Sequence, residues 1–315
     1  MSQDSVSPVE PVSVALPGMP GRWSTLLRLA MTAPRGARPA RSVVQPHAWT
    51  VPDLWIDSDR MRRYQSLCGG LETSSTVPPL FPQVLAFPLL MHDLASSRYP
   101  WSALGVVHLG NDIEASRPIQ PGEVLNVTLR GGGLISHPRG QAFETQLQFN
   151  QGEIEVWRST QTFLRLGVRN PVGPAWDEQR ALGGKVSDAG HPATHALVRI
   201  GAFDAPSQIG RRYAPISGDF NPIHLSKWSA RMLGFDQAIA HGLWSLARAL
   251  AVLGIEAPQA GHRLRTVFAS PIRLPSSVSV WALREGGVLN FEVRDQAGER
   301  VHLKGSFGER RIKND

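Results

Sequence analysis

Cysteine is almost absent from this chain of 315 residues, Cys68 being the only one. A single thiol excludes an internal disulfide framework and a cysteine-based metal site, and it suits a reducing, cytoplasmic setting. Lysine is scarce too. Only Lys185, Lys227, Lys304 and Lys313 stand among the 33 basic residues, so the formal net charge of +7 rests on arginine. Apart from Arg60, Arg62 and Arg63 and the tail Arg310, Arg311 and Lys313, that charge is dispersed. A nucleic-acid surface gathers basic charge on a stripe interleaved with aromatics, so nucleic acid is not an expected partner. A dispersed basic surface suits an anionic substrate or an acidic protein. Uninterrupted apolar runs are missing as well. The longest uncharged stretch, Thr73 to His92, carries Pro78, Pro79, Pro82 and Pro88, which would break a membrane helix repeatedly, so no membrane span is expected.

Acidic residues are missing between Glu10 and Asp53, where Arg22, Arg28, Arg35, Arg38 and Arg41 lie. Trp23, Leu26, Leu27, Ala30 and Met31 can share one apolar helical face. Residues 1–50 therefore read as an extension that packs on the body, or as an organelle transit segment, which shares this Arg-rich, acid-poor composition. Signals for other chemistries are also lacking. His108, His191, His195 and His262 have no partners at metal-ligand spacing, and neither a metal nor another cofactor is expected. The run Gly131-Gly132-Gly133 lacks the lysine and helix of a phosphate loop, and no Gly-x-Ser-x-Gly elbow occurs.

What is present is a globular composition, 42% hydrophobic and 19% charged, arranged as a degenerate repeat. Pro118 to Arg130 aligns with Pro271 to Arg284 at an offset of 153 to 154, and Leu85 to Leu89 aligns with Ile239 to Leu243 at 154. Each half reads as an apolar helix followed by extended segments. The helices are expected at Pro88–Leu94 and Leu243–Leu253, the second apolar nearly all round and so buried. Alternation in Phe143, Thr145, Leu147 and Phe149, and in Val278, Val280 and Ala282, predicts half-buried strands. The halves span residues 51–167 and 196–315, joined by a Gly/Pro-rich linker at 168–195. A buried helix with antiparallel strands, twice over, is an α+β architecture.

The chemistry concentrates in residues 213–242. Asp219 and His224 lie on a turn shaped by Gly218, Asn221 and Pro222, and Gly242 opens the buried helix. A carboxylate, an imidazole and a helix N-terminus are the parts needed to move protons beside a carbonyl and hold the resulting oxyanion. Spacing alone leaves open a plain turn with a surface histidine. His241, just before the helix, reads as a cap or orienting group without a catalytic role.

The run Ser217-Gly-Asp-Phe-Asn-Pro-Ile-His224, followed by Ala230, Gly234-Phe235 and Ile239-Ala-His-Gly242, resembles the hydratase-2 motif of MaoC-like (R)-specific enoyl-thioester hydratases and dehydratases. Thr76 to Pro82, Phe87 to Met91, Gly105 to His108 and Arg117 to Ile119 resemble the amino half of double-hotdog 3-hydroxyacyl-thioester dehydratases. The resemblance implies a double hotdog fold, two sheets each wrapped around a central helix and fused as a pseudo-dimer, existing as a monomer or a homodimer. It implies reversible hydration of trans-2-enoyl thioesters to (R)-3-hydroxyacyl thioesters in lipid metabolism, with an acyl-CoA or acyl-carrier-protein substrate and no cofactor. It assigns Asp219 and His224 to activating the water, the Gly242 N–H to the thioester oxygen, and Asn221 to shaping the loop. Shifting by 154 sets Gln65, Gly70 and Pro88 of the first half against Asp219, His224 and Gly242, so one active site per chain is expected. Two other functions stay open for this fold, an acyl-thioesterase and a non-catalytic acyl-thioester-binding subunit.

Overall fold

The alternation in the central strands is obeyed residue by residue. Phe143, Thr145, Leu147 and Phe149 are buried, while Gln146 between them is exposed. These residues belong to a computed structural model that describes residues 12–39, 47–70, 75–183, 196–258 and 260–309. The first half contains β1 (Val12–Ala15), α1 (Arg22–Met31), β2 (His47–Trp55), α2 (Ser58–Cys68), α3 (Phe81–Leu94), β3 (Val106–Ala115), β4 (Val124–His137), β5 (Gly140–Gln151) and β6 (Ile154–Leu166). A short helix α4 (Glu178–Ala181) follows. The second half contains β7 (Val198–Ala205), α5 (Ile209–Ser217), α6 (Pro222–Leu225), α7 (Lys227–Met232), α8 (Gly242–Val252), β8 (His262–Phe268), β9 (Ser276–Glu285), β10 (Val288–Asp295) and β11 (Val301–Glu309).

The strands form one sheet in the order β1-β2-β4-β5-β6-β3-β8-β11-β10-β9-β7. The block β2-β4-β5-β6-β3 is mirrored by β7-β9-β10-β11-β8, and the halves join where β3 pairs antiparallel with β8. On the outer face of that seam Arg263 Nε meets Asp112 at 2.6 Å and Glu114 at 3.0 Å. Inside, α3 and α8 lie in a single apolar core that runs through both halves, with Leu85, Leu89, Leu246 and Leu250 all buried. This is the double hotdog: two equivalent sheets, each wrapped on one helix, continuous across the seam.

Several expectations need correction. α3 begins at Phe81 rather than Pro88, so Pro88 sits inside the helix. A proline there has no N–H for the carbonyl four residues back. That carbonyl, Val84 O, instead accepts from Arg60 Nη2 at 3.3 Å. The repeat therefore drifts more than a constant 154. Gly69 and Gly218 both end a helix in the left-handed conformation, which sets Gly70 against Asp219, and the start of α3 at Phe81 against Gly242. The second half carries α6 and α7 in the longer connection, which the first half lacks among the described residues.

Strands β2, β3 and β7 escape the periodicity reading for different reasons. β3 has a bulge between His108 and Gly110 that breaks its alternation, and β7 is a largely exposed edge strand. β2 crosses the boundary drawn at residue 50. The extension also belongs to the sheet, because β1 pairs in parallel with β2. α1 forms where expected, but Leu27 and Met31 are 65% and 70% exposed, and it is Thr25 that is buried. Within the linker, Trp176 packs with Leu109, Ala142 and Leu164, and α4 is tied down by Lys304 Nζ to Glu178 at 2.8 Å. His191, His195 and the basic tail fall outside the described residues.

Candidate active site

The segment from α5 to α8 builds the site by a chain of short-range contacts. Helix α5 ends at Gly218, whose φ of 81° is the left-handed geometry that glycine adopts without steric cost. The turn that follows is held by its own side chains. Ser217 Oγ accepts from the Asp219 N–H at 3.2 Å, and Asp219 Oδ1 accepts from the Asn221 N–H at 3.0 Å. Asn221 then caps α6, taking the Ile223 N–H on Oδ1 at 3.4 Å, with Pro222 at the first helical position. The cap commits the Asn221 side-chain oxygen to the backbone, so its place in the site is to shape the loop that carries Asp219 and His224.

With Oδ1 held by the turn, Asp219 Oδ2 is the oxygen that faces the histidines. It lies 3.8 Å from His224 Nε2 and 4.0 Å from His241 Nε2. Neither distance is a hydrogen bond, and the gap is one a water bonded to both groups would bridge. His224 Nδ1 lies 2.8 Å from the carbonyl oxygen of Ile239. A carbonyl only accepts, so Nδ1 carries the proton and Nε2 presents its lone pair toward Asp219. Burial pushes the His224 pKa down, against the opposing pull of Asp219 and the Ile239 contact, which keeps the ring neutral at neutral pH.

His241 has a larger part in this geometry than its sequence position suggested. Its Nε2 donates to the backbone carbonyl of Asp219 at 3.0 Å, and its ring stacks on that of His224 with centroids 3.8 Å apart. Burial, and then the neighbouring His224, push its pKa down to about 3. Neutral at neutral pH, His241 fixes both catalytic candidates at once, one through its backbone and the other through its ring. Asp219, His224 and His241 also form the one grouping of three potential metal ligands among the described residues, with donor atoms within 4.8 Å of one another. The grouping fits a metal poorly. His241 Nε2 is already a donor to the backbone carbonyl of Asp219 and so has no lone pair there for an ion.

Gly242 is the first residue of α8, and no side chain caps that terminus. The first N–H groups of a helix have no partner within it and carry partial positive charge, so they aim a donor at the cavity. The glycine has a further cause. A Cβ at this position would lie 3.0 Å from Phe268 Cε1, so any side chain would press on that ring. Another glycine, Gly210 on α5, was not legible as part of the site. A Cβ there would fall 1.8 Å from the carbonyl oxygen of His224, so the absence of a side chain lets α6 seat against α5.

The first half forms the opposite wall. Phe87 and Pro88 of α3 approach Gly218, next to Asp219. His108 on β3 is sandwiched between Phe163 at 4.7 Å and Phe268 at 4.8 Å, and burial pushes its pKa down to about 4. The bulge after His108 turns it to the inner face together with Asn111. Both walls enclose a cavity of about 1090 Å³, mostly apolar, that includes Asp219, His224, Gly242 and Asn221. That volume is at the upper end for a small-molecule site and suits a long apolar ligand.

Residues 191–304 match the family described as MaoC like domain. The chain is 30% identical over 257 residues to a protein of Mycobacterium tuberculosis named 3-hydroxyacyl-thioester dehydratase X, covering 81% of this chain and 86% of that one. It is 41% identical over 71 residues to the 3-hydroxybutyryl-CoA dehydratase of Methylorubrum extorquens, covering 22% of this chain and 45% of that one. The solved structure of HtdX from Mycobacterium tuberculosis superposes with a TM-score of 0.67 at 27% identity, over 84% of this chain and all (100%) of the other. A MaoC-like dehydratase from Phytophthora capsici shares the fold with a TM-score of 0.65 at 20% identity, over 84% of this chain and 95% of the other.

Proposed function

This chain belongs to the MaoC-like dehydratase family, and from that membership we propose that it hydrates trans-2-enoyl thioesters reversibly to (R)-3-hydroxyacyl thioesters. The observation that carries the reading is the 3.8 Å gap between Asp219 Oδ2 and the unprotonated Nε2 of a buried, neutral His224. A water in that gap donates one hydrogen to each group, leaving an oxygen lone pair for C3 of the enoyl thioester. As the C3–O bond forms, His224 Nε2 takes the water's proton and Asp219 stabilises the imidazolium. The π electrons of the C2–C3 bond pass to the thioester oxygen, where the Gly242 N–H at the helix N-terminus meets the developing charge. The pair then returns a proton to C2, so the sum is one water added across the double bond. Dehydration runs the same steps in reverse.

One such site per chain is the reading best supported. The first-half segment Ser66 to Thr73 contains neither Asp nor His in its sequence, so it offers no counterpart to the Asp219 and His224 pair. The apolar cavity suits an acyl chain, and the dispersed arginines suit the phosphates of an acyl-CoA or acyl-carrier-protein thioester. No helix among the described residues is long and apolar enough to cross a membrane. Cys68 is free and buried, in keeping with work in a reducing compartment such as the cytoplasm.

The test is loss of the conjugated enoyl absorbance on mixing the protein with trans-2-enoyl-CoA. Asp219→Asn and His224→Gln should each lower kcat by at least about 10²-fold, the usual contribution of a positioned acid or base. Circular dichroism should show the folded state retained. Near-full activity in either variant would refute the assignment, and thiol release without a 3-hydroxyacyl product would identify a thioesterase instead.

A further inference from the structure

The cavity that holds Asp219 and His224 does not end within the two hotdog halves, because Met19, Thr25, Leu29 and Ala30 of the N-terminal extension line it as well. Thr25 and Leu29 stand four residues apart, one turn along the same face of α1. That face lies toward α3, against which α1 packs. Leu27, on the other face, is 65% exposed.

Helix α1 is held in place by hydrogen bonds to the segment that follows α3. Thr32 Oγ1 accepts from the Ala103 N–H at 3.1 Å, Ser102 N–H donates to the Gly36 carbonyl at 2.8 Å, and Arg35 Nη1 donates to the Ser96 carbonyl at 2.7 Å. Together these bonds fasten the end of α1 to the loop after α3. The wall is therefore built as part of the fold.

The position of this wall along the cavity follows from α3. Val84, near its start, is bonded to Arg60, and Arg60 and the exposed Arg63 line the cavity at that end. Cationic groups there suit the phosphates of a thioester carrier. Pro88, in the middle, approaches Gly218 beside Asp219. Leu90, Met91 and Leu94 also line the cavity and continue along α3 toward the loop to which the end of α1 is bonded. From Pro88 to Leu94 the helix advances roughly 9 Å at 1.5 Å per residue, which is the run left to the acyl chain beyond the reacting carbons.

We propose that α1 forms the far wall of the acyl cavity and that Leu29 sets the longest acyl chain the enzyme accepts. The proposal rests on the hydratase reading of the site and adds a substrate-length filter carried by the N-terminal extension.

The test compares kcat/KM for trans-2-butenoyl-, trans-2-dodecenoyl- and trans-2-hexadecenoyl-CoA in the full chain. Leu29→Trp should lower the dodecenoyl-to-butenoyl ratio about tenfold or more, since a pocket discriminates by such factors for small changes in apolar volume. Leu29→Ala should raise the hexadecenoyl-to-butenoyl ratio, and Leu27→Trp, on the exposed face, should keep the wild-type ratios. An unchanged ratio in Leu29→Trp would overturn the proposal. So would a parallel fall for all three lengths, which would place Leu29 at the mouth. Should the wild type turn over none of these thioesters, the hydratase reading falls. The length filter is then decided by calorimetric binding of saturated acyl-CoAs, where Leu29→Trp must weaken dodecanoyl-CoA more than butanoyl-CoA or the proposal fails.

Discussion

Gly210 offers the sharpest test of how the fold positions the proposed catalytic pair, because it touches His224 only at the backbone and contributes no polar group. It occupies the second position of α5, and an alanine Cβ there would fall 1.8 Å from the carbonyl oxygen of His224. Ordinary contact begins near 3.4 Å, so α5 and α6 must separate by about 1.6 Å. The obstructing atom is backbone and cannot rotate away as a side chain would. Helix propensity argues the opposite way, since Gly→Ala inside a helix stabilises by up to about 1 kcal/mol. Overpacking of a buried contact costs about 1–3 kcal/mol, so the steric term wins and the variant should melt lower. The functional loss should be larger. His224 hangs on the segment that moves, and a shift near 1 Å at a catalytic group can cost about 10²-fold in rate. Gly210→Ala is therefore expected to lower kcat for trans-2-butenoyl-CoA about 10²-fold while the protein stays folded at 25 °C. Retention of kcat within threefold, or a raised melting temperature, would refute the claim that the α5–α6 approach sets the position of His224.

Gly242→Pro removes the N–H assigned to the thioester oxygen at a position where proline is compatible with the helix, whereas Gly242→Ala adds a comparable Cβ beside Phe268 and keeps the N–H. The proline variant should fall below the alanine variant by about 10²–10³-fold in kcat, and equal rates would remove Gly242 from the mechanism. Stability should depend on pH with a definite sign. Burial holds His108 at about 4 and His241 at about 3, and pushes His224 down as well. The unfolded chain takes up protons below about 6.5 that the folded chain refuses, so stability is full above that pH and falls on acidification, by up to about 1.4 kcal/mol per pH unit for each histidine. Urea midpoints at pH 7 and pH 5 check this, with His108→Phe reducing the slope. A midpoint that does not move in the wild type would show that these rings are not buried as described.

Local pattern and side-chain chemistry made much of this protein legible from its sequence. The Gly218-Asp-Phe-Asn-Pro-Ile-His224 run specifies its own turn, because Asp219, Asn221 and Pro222 satisfy and shape a few consecutive backbone groups without help from elsewhere. The apolar surface of α8 likewise announces a buried helix, and the alternation in β5 announces a half-buried strand. What the tertiary structure alone decided concerns contacts between distant segments. The drift of the repeat, the housing of Pro88 inside α3 by Arg60, the use of His241 to hold Asp219 and His224, and the seating of α6 on Gly210 each join residues by fold rather than by spacing. The same holds for the cavity. A sequence can state that Leu29 is apolar, but only packing places it on the wall of the cavity that also holds Asp219.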